Sequence, residues 1–379
     1  MSDTRQHPGT GVTAPAKPGS DLAELKQFVV AHAISQELPA DHYAGLLDRI
    51  TTGTGEGPGS WAHEWVRAGE EREAAGDALA AGQLYTMGRF PYVDGPGRAH
   101  SLERSVDAFD RWRRASPTGI ERDTVHIDGV PVRIWTAGLD AANPRPLLVM
   151  TGGIVSTKEQ WGPVLPQIVA LGLAGVVAEL PGVGENPLVY GPDSHRLFPA
   201  VLDAVADRAD VSRSYLLALS FSGHLAVRAA LTDSRIRGIV GNGLPVHDFF
   251  TDDEWQQHVP GITRDTLAHL VGVPAGDVWR RIHDWALSDA ELRQLSVPLA
   301  VVTARRDEII PPRDAERLEK NVADLRQLVH DDVHGAPAHL AETRLWSLLA
   351  VQLMRTDADP AVTGRLAGAL DAVRAKAVR

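Results

Sequence analysis

The chain has 379 residues, of which 44% are hydrophobic and 23% are charged. This composition is typical of a globular protein, and the length allows one large domain with an addition, or two domains. The formal net charge of −11 argues against a nucleic-acid partner, which would require a basic face. The absence of cysteine excludes disulfide frameworks, thiolate metal sites and cysteine nucleophiles.

No apolar stretch approaches the length of a membrane span, so no membrane partner is expected. Residues 1–20 lack the apolar core of a secretory signal and are rich in Pro, Gly, Ser and Thr. They predict a disordered tail on a cytoplasmic protein. From residue 21 to about residue 120, apolar side chains recur at helical spacing, as at Leu22, Leu25 and Val29. This segment predicts a helical N-terminal region.

A change of period at Thr124 marks a second region. Apolar residues alternate on both sides of the Asp128-Gly129 turn, which predicts a β-hairpin. Beyond it, β-branched runs alternate with helical stretches, so we expect an α/β fold with a mostly parallel sheet covered by helices. The predicted strands are 147–151, 175–179, 215–219, 236–242, 299–303 and 325–330, and the predicted helices are 160–170, 195–208, 223–232 and 312–322.

Residues 247–295 interrupt this alternation with helical pieces and no strand. They predict a helical cap over the carboxyl edge of the sheet, where open α/β sheets bind ligands. The core is then expected from residues 121–246 and 296–379. The tryptophans at positions 255, 279 and 285 are expected to pack the cap, and Trp255 is also a candidate for lining an aromatic or polyketide-sized pocket.

A candidate nucleophile lies in the segment YLLALSFSGHLAVRAAL, residues 215–231. An apolar strand is followed at once by Ser220 and then by a helix, the pattern of a nucleophile elbow that needs small residues two positions before and after the serine. Ala218 and Ser222 meet that need, and the backbone N–H of Phe221 would face an oxyanion from a helix N-terminus. The alternative is that Ser220 only caps the helix.

Candidate partners follow in the order acid and then histidine, as the elbow requires. Asp307 comes just after the strand at 299–303, and His334 comes just after the strand at 325–330. A histidine would take the serine proton, and a carboxylate would hold its tautomer. His330 and His339 are rivals for the histidine, and Asp307 could instead be a surface acid.

The loop after the strand at 147–151 begins with Gly152-Gly153. Glycines there let the backbone turn sharply and present an N–H from Gly153 or Ile154 to the same oxyanion. A plain turn is the alternative.

The segments GGIVSTKEQW, ELPGVGENP and ALSFSGHLA together resemble the FrsA-like branch of the α/β hydrolases, a branch that includes pyridine-pathway and polyketide-shortening hydrolases. The resemblance runs from about Trp61 to Leu353. It implies an α/β-hydrolase fold, a triad of Ser220, Asp307 and His334, and an active site between the core, the cap and the N-terminal helices. It also makes a homodimer plausible. The departures are Ala218 and Ser222, which stand where the branch has glycines.

Glu159 has two interpretations. The resemblance implies a substrate-binding role, because a glutamate in the matching motif of the pyridine-pathway hydrolase assists carbon–carbon cleavage. The residues themselves favour a capping box from Ser156 to Glu159, in which Glu159 only caps a helix. Neither a dinucleotide fingerprint nor a P-loop nor a metal triad is recognisable, so no cofactor and no metal are expected.

Three functions follow. The favoured one is a serine hydrolase that cleaves an ester, or a β-diketone-like carbon–carbon bond, of a hydrophobic aromatic or polyketide-like small molecule. The second keeps the triad for acyl transfer or for elimination of an acyl group as acetate in natural-product biosynthesis, since a closed cap can exclude water. The third is a non-catalytic binding protein on a hydrolase scaffold.

Overall fold

A computed structural model describes residues 21–377 of the chain. The tail predicted for residues 1–20 lies outside the described residues, as do the last two residues. Before the first strand the chain is helical, and α1 and α3 both contribute to one hydrophobic cluster, which includes Leu25, Val29 and Trp65. These helices are α1 (Leu22–Ser35), α2 (Ala44–Arg49), α3 (Trp61–Ala74), α4 (Ala78–Arg89) and α5 (Pro96–Ala115).

Eight strands form one sheet in the order β1-β2-β4-β3-β5-β6-β7-β8. The β1–β2 and β2–β4 pairs are antiparallel, and every other neighbouring pair is parallel. The strands are β1 (Ile120–Ile127), β2 (Val130–Ala137), β3 (Pro146–Thr151), β4 (Ala174–Ala178), β5 (Asp210–Leu219), β6 (Ile236–Asn242), β7 (Leu299–Ala304) and β8 (Leu325–His330).

The central strand β3 shows why the sheet is covered on both faces. All six of its residues are buried. Leu147 and Val149 belong to one hydrophobic cluster, whereas Leu148 and Met150 belong to the cluster on the opposite face. Successive side chains of a strand point to opposite faces, so a continuous apolar run supplies both layers.

The helices between β3 and β6 confirm the predicted alternation with one correction. The helix predicted at 160–170 is broken by a 3₁₀ turn at Gly162–Val164, because Pro163 and Pro166 have no N–H to donate to the preceding turn. The four helices are α6 (Lys158–Trp161), α7 (Leu165–Ala170), α8 (Leu197–Val205) and α9 (Phe221–Ala230).

The predicted cap consists of short helices between β6 and β7, and further helices follow β7 and β8. Among the described residues, no helix is long and apolar enough to cross a membrane. The cap helices are α10 (Asp248–Thr251), α11 (Asp253–Gln256), α12 (Gly261–Val271), α13 (Val278–Ile282) and α14 (Asp289–Gln294), and the later helices are α15 (Pro312–Asn321), α16 (Leu340–Met354) and α17 (Pro360–Ala377).

One buried carboxylate joins the cap to the core. Asp314 of α15 has no exposed surface, and it accepts hydrogen bonds from the backbone N–H groups of Val246, His247 and Asp248 at 3.0, 3.0 and 2.7 Å. These groups belong to the turn that enters α10, where N–H groups lack intrahelical partners. Asp314 therefore fixes the point at which the chain leaves the sheet for the cap.

The prediction of an α/β-hydrolase fold is confirmed. The sheet is mostly parallel, helices cover both of its faces, and a helical segment lies before β1 and another between β6 and β7. This arrangement brings the carboxyl ends of β3, β5, β7 and β8 to one edge, where a ligand site is expected.

We predict that Asp314→Ala lowers the free energy of unfolding by about 3 kcal/mol, because the backbone N–H groups of Val246, His247 and Asp248 lose a buried carboxylate acceptor. Urea denaturation monitored by tryptophan fluorescence measures the change. Glu319→Ala on the exposed face of the same helix is the matched control. Equal unfolding midpoints for the two variants would contradict this role of Asp314.

Candidate active site

Ser220 occupies an unusual backbone conformation between β5 and α9. Its φ is +56° and its ψ is −129°, a region that residues with a side chain seldom adopt. The turn is tied down by hydrogen bonds from Ser220 N to the Asn242 carbonyl (2.8 Å) and from Gly223 N to the Ser220 carbonyl (2.9 Å). The hydroxyl consequently stands at the edge of the sheet, as in a nucleophile elbow.

Ser222 and Ala218, which replace the usual glycines of the elbow, make contacts that account for their presence. Ser222 is buried, and its hydroxyl is within hydrogen-bonding distance of the Thr151 carbonyl (3.1 Å) and the Leu219 carbonyl (2.8 Å). Ser222 thus links the elbow to the end of β3. Ala218 has no exposed surface and pairs with Thr151 and Gly241 on the neighbouring strands. Ser222 does not line the cavity described below, unlike Ser220.

The structure brings Ser220, His334 and Asp307 together from three parts of the chain. Ser220 Oγ lies 3.0 Å from His334 Nε2. His334 Nδ1 lies 2.9 Å from Asp307 Oδ2 and 3.0 Å from Oδ1. Nδ1 donates to the carboxylate, so Nε2 is free to accept the proton of the serine hydroxyl.

Surrounding groups hold the acid and the histidine in place. Asp307 Oδ1 accepts the N–H groups of Ile309 and Ile310 at 2.9 and 2.8 Å. Glu308 accepts the backbone N–H of His334 at 3.0 Å. Gly243 passes so close to the ring that a Cβ there would lie 2.7 Å from His334 Cε1.

The rival histidines lie elsewhere. His330 stacks on His339, with ring centroids 4.3 Å apart. His330 Nε2 lies 3.2 Å from the hydroxyl of Thr343, and His339 Nδ1 lies 3.1 Å from Asp332 Oδ2. Both rings are therefore engaged away from Ser220.

The pKa of His334 is raised above the ordinary value of 6.5. Burial of the ring lowers this pKa, but the charge of Asp307 and the hydrogen bond to it act in the opposite direction and outweigh burial. The imidazolium is therefore stabilised where proton transfer from Ser220 would form it.

Two backbone segments meet beside the Ser220 hydroxyl. Phe221 is the first residue of α9, so its N–H has no intrahelical acceptor. On the other side, a Cβ on Gly153 would lie 3.0 Å from Ser220 Cβ, and a Cβ on Gly152 would lie 2.6 Å from Trp161 Nε1. The glycines are needed for close approach, and neither has a positive φ. Gly153, Ile154 and Phe221 all line the cavity next to Ser220.

That cavity has a volume of about 420 Å³. The cavity lies between the core, the cap and the N-terminal helices, the position that the family resemblance implies, but among the described residues the cap contributes only Ile262 and Thr263, both from α12, to its roof. Most of the roof comes from the N-terminal region and from α16. The lining residues from those two parts are Gln27, Phe28, Ala31, His32, Ser35, Gln36, Glu37, Leu79, Gln83, Phe90, Leu340, Thr343, Arg344, Ser347 and Leu348.

Glu159 and Trp255, the two predicted substrate contacts, do not line this cavity. The indole N–H of Trp255 donates to the Ile309 carbonyl at 2.9 Å. Glu159 is buried and accepts the indole N–H of Trp135 at 3.0 Å. The capping-box interpretation of Glu159 is wrong, because α6 begins after Thr157 and Gln160 Oε1 accepts the Thr157 N–H at 2.9 Å.

Glu159 belongs instead to a buried cluster of charges around Lys158. The Lys158 ammonium has no exposed surface and lies 2.9 Å from Glu159, 3.3 Å from Glu179 and 2.8 Å from Glu185. Burial raises the pKa of Glu179 to about 7, although Lys158 opposes the shift. Glu179 Oε1 also accepts the backbone N–H of Lys158 at 3.1 Å. The cluster therefore anchors the segment that follows the Gly152-Gly153 turn.

Sequence reasoning missed three residues of the site. Glu308 holds the His334 backbone, and Asn242 donates to the carbonyl of Gly335 at 3.2 Å. The position of Glu308 beside Asp307 and that of Asn242 at a strand end were available signals. His32 lines the cavity from α1, and nothing in its local sequence distinguishes it from other helix histidines.

A family model and individual relatives both match this chain to esterases and hydrolases. A family model described as "Esterase FrsA-like" matches residues 33–323. Esterase FrsA of Vibrio vulnificus (strain YJ016) is 25% identical over 322 residues, which cover 78% of this chain and 75% of that protein. The 2,6-dihydropseudooxynicotine hydrolase of Paenarthrobacter nicotinovorans is 23% identical over 264 residues, covering 66% of this chain and 70% of that protein.

Among solved structures, AbyA5 wild type has a TM-score of 0.89 and 54% sequence identity, and the match covers 93% of this chain and all of that one. A 2,6-dihydroxy-pseudo-oxynicotine hydrolase has a TM-score of 0.68 at 18% identity, covering 87% of this chain and 97% of that one. The second match supports the fold alone.

We predict that Lys158→Met destabilises the protein by roughly 3–5 kcal/mol, because it leaves buried carboxylates without their cation. Chemical denaturation gives the change in unfolding midpoint, and Lys320→Met, exposed on α15, serves as control. If Lys158→Met unfolded at the same denaturant concentration as the control, the buried cluster would have no anchoring role.

Proposed function

The chain belongs to the FrsA-like esterase family, and from that premise we propose that it is a serine hydrolase working through Ser220, His334 and Asp307. The observation that carries the proposal is the continuous path from Ser220 Oγ to His334 Nε2 (3.0 Å) and from His334 Nδ1 to Asp307 (2.9 Å), starting at a residue with a strained backbone. A helix cap needs neither the strain nor a histidine partner.

In the first half of the reaction, Ser220 Oγ attacks the carbonyl carbon of the substrate, and His334 Nε2 takes the hydroxyl proton. The Asp307 carboxylate stabilises the imidazolium. The N–H groups of Phe221 and of Gly153 or Ile154 accommodate the negative oxygen of the tetrahedral intermediate. His334 then protonates the leaving group, and an acyl-enzyme on Ser220 remains.

In the second half, His334 accepts a proton from water, which attacks the acyl-enzyme through the same oxyanion site. The acid product leaves, and the proton returns to Ser220. Water is the acceptor in a hydrolase; an alcohol in its place would give acyl transfer from the same intermediate.

The cavity supports the proposal of a hydrophobic small-molecule substrate. Its volume of about 420 Å³ is within the range of small-molecule sites. Apolar side chains extend it from Ser220 along one face of the sheet, among them Met150, Leu217 and Leu348. We therefore propose an ester as the scissile group, in keeping with the family, with an aliphatic or aromatic part held along that face.

The assignment of the nucleophile is tested by intact mass after incubation with a small fluorophosphonate. We expect a single adduct on the wild type and on Ser222→Ala, and none on Ser220→Ala. Ser222 is the matched control because it is a second serine of the same turn. An adduct that persists in Ser220→Ala would assign the nucleophile to another residue and overturn the proposal.

The role of the acid is tested by Asp307→Asn, for which we expect a loss of about 10⁴-fold in kcat on an activated ester, because the amide no longer favours the required tautomer. Asp331→Asn, an exposed neighbour, is the control. Equal rates for Asp307→Asn and Asp331→Asn would rule out Asp307 as the triad acid.

The pH dependence of the wild type tests the role of His334. The value of kcat/KM should fall with decreasing pH around a midpoint above 6.5, since His334 must be neutral to act as a base and its pKa is raised. A value of kcat/KM that stays constant through this range would contradict a general base with the raised pKa of His334.

A further inference from the structure

The proposed triad leaves one histidine of the cavity without a role. His32 and His334 are the two imidazoles among the described residues that line it. His32 belongs to α1, far from the catalytic residues in sequence, yet it is close enough for the charge of His334 to help lower the pKa of His32. The imidazole of His32 therefore borders the same cavity as the Ser220 hydroxyl.

A chain of hydrogen bonds determines which nitrogen of His32 carries the proton. The backbone N–H of Thr157 donates to Gln160 Oε1 at 2.9 Å, so the other end of the amide is the NH₂ group. That group, Gln160 Nε2, lies 3.4 Å from His32 Nδ1. Nδ1 must accept, because an amide NH₂ can only donate. The proton of a neutral His32 is therefore on Nε2.

Packing and charge keep this ring in place and neutral. His32 contacts the buried ring of Phe90, with centroids 5.0 Å apart. Burial, followed by the charge of Arg89, lowers the pKa of His32 to about 3. The Arg89 guanidinium is itself fixed, since it donates to the carbonyls of Pro91 (2.8 Å) and Val155 (2.7 Å). His32 thus offers a neutral N–H donor throughout the pH range in which His334 could act as a base.

The Nε2–H group has no hydrogen-bond partner among residues 21–377, and it belongs to a residue that lines the cavity. An N–H group in a largely apolar cavity lacks an acceptor until a ligand supplies one, and the hydrogen bond then favours binding of that ligand. Three charged side chains, Glu37, Glu308 and Arg344, also line the cavity. Arg344 is ion-paired with Glu37, whereas Glu308 has no ion-pair partner among the described residues, so the uncompensated charge is negative and disfavours an anionic acceptor. The fitting acceptor is a neutral oxygen.

We propose that His32 is a positioning residue that donates its Nε2–H to a neutral carbonyl oxygen on the substrate, separate from the carbonyl attacked by Ser220. This rests on the proposed function and narrows its substrate class to esters that carry a second carbonyl group. Because the hydrogen bond lies away from the reacting atoms, it contributes to binding, and its loss is expected to raise KM more than it lowers kcat.

The test compares pairs of para-nitrophenyl esters. One member of each pair is the levulinate ester, or a longer ketoacid ester whose ketone lies at another position of the acyl group. The other member is the plain alkanoate ester with an acyl group of equal length. For at least one pair, the wild type should prefer the ketone, and His32→Phe should reduce the ratio of kcat/KM for the ketone ester to that for the plain ester about tenfold, chiefly by raising KM for the ketone ester. His32→Gln, which keeps an N–H donor, should retain part of the preference.

His100→Phe is the matched control, since His100 is exposed on α5. If the preference for the ketone ester is the same in the wild type and in His32→Phe for every pair, the proposal is overturned. An equal loss of activity on ketone and plain esters would also overturn it, because such a loss indicates a structural role for His32. Failure of the wild type to hydrolyse any ester, together with no fluorophosphonate adduct, would reject the proposed function itself. Failure limited to the ketone preference would reject only the role of His32.

The tautomer gives an independent readout. In nitrogen NMR spectra of isotope-labelled protein, the ring signals lost in His32→Phe should show a protonated Nε2 and an unprotonated Nδ1 in the wild type. The opposite tautomer would contradict the hydrogen-bond chain from Thr157 through Gln160, and with it the proposal.

Discussion

The structure of the site depends on holding Ser220 in a backbone conformation that costs about 1–3 kcal/mol. Contacts around the turn restrict the backbone to this conformation. Ser222 connects the turn to the ends of β3 and β5, and the amide of Ser220 is bound to the end of β6. Gly223 has no room for a side chain, since a Cβ there would lie 2.5 Å from Leu244 Cβ. The strain is therefore maintained by packing of the whole sheet edge, and it presents the hydroxyl outward.

The same edge collects the remaining parts of the site from distant segments. Parallel strands place Asp307 and His334 beside Ser220, because the loops that follow β7 and β8 emerge on the same side as the elbow. The buried charges around Lys158 fix the loop that brings Gly153 against Ser220. Helix α1 then closes the cavity and carries His32. In the proposed mechanism, the N-terminal region therefore contributes mainly to substrate binding, and the core carries the catalytic residues.

The strand limits and the candidate triad could be predicted from the sequence, because both depend on patterns within short segments. Strand limits followed from β-branched runs, and the candidate triad followed from the order of serine, acid and histidine at strand ends. The residues alone could not predict the surface covered by α1, because an apolar helix face is the same whichever part of the core it covers, and only the family resemblance placed the N-terminal helices at the active site. The error at Glu159 has a similar origin. Both Ser156 with Glu159 and Thr157 with Gln160 satisfy the capping-box pattern, and only tertiary burial of Glu159 beside Lys158 and Trp135 selects the second.

We propose that catalysis proceeds through an acyl group on Ser220. The most direct test of this proposal is rapid acid quenching during turnover of an activated ester, followed by mass analysis of the proteolytic peptide that contains Ser220. We expect a peptide heavier by the acyl group during turnover, and we expect this peptide to be absent after the substrate is exhausted. Steady consumption of ester by an enzyme whose Ser220 peptide never carries the acyl group would contradict this proposal.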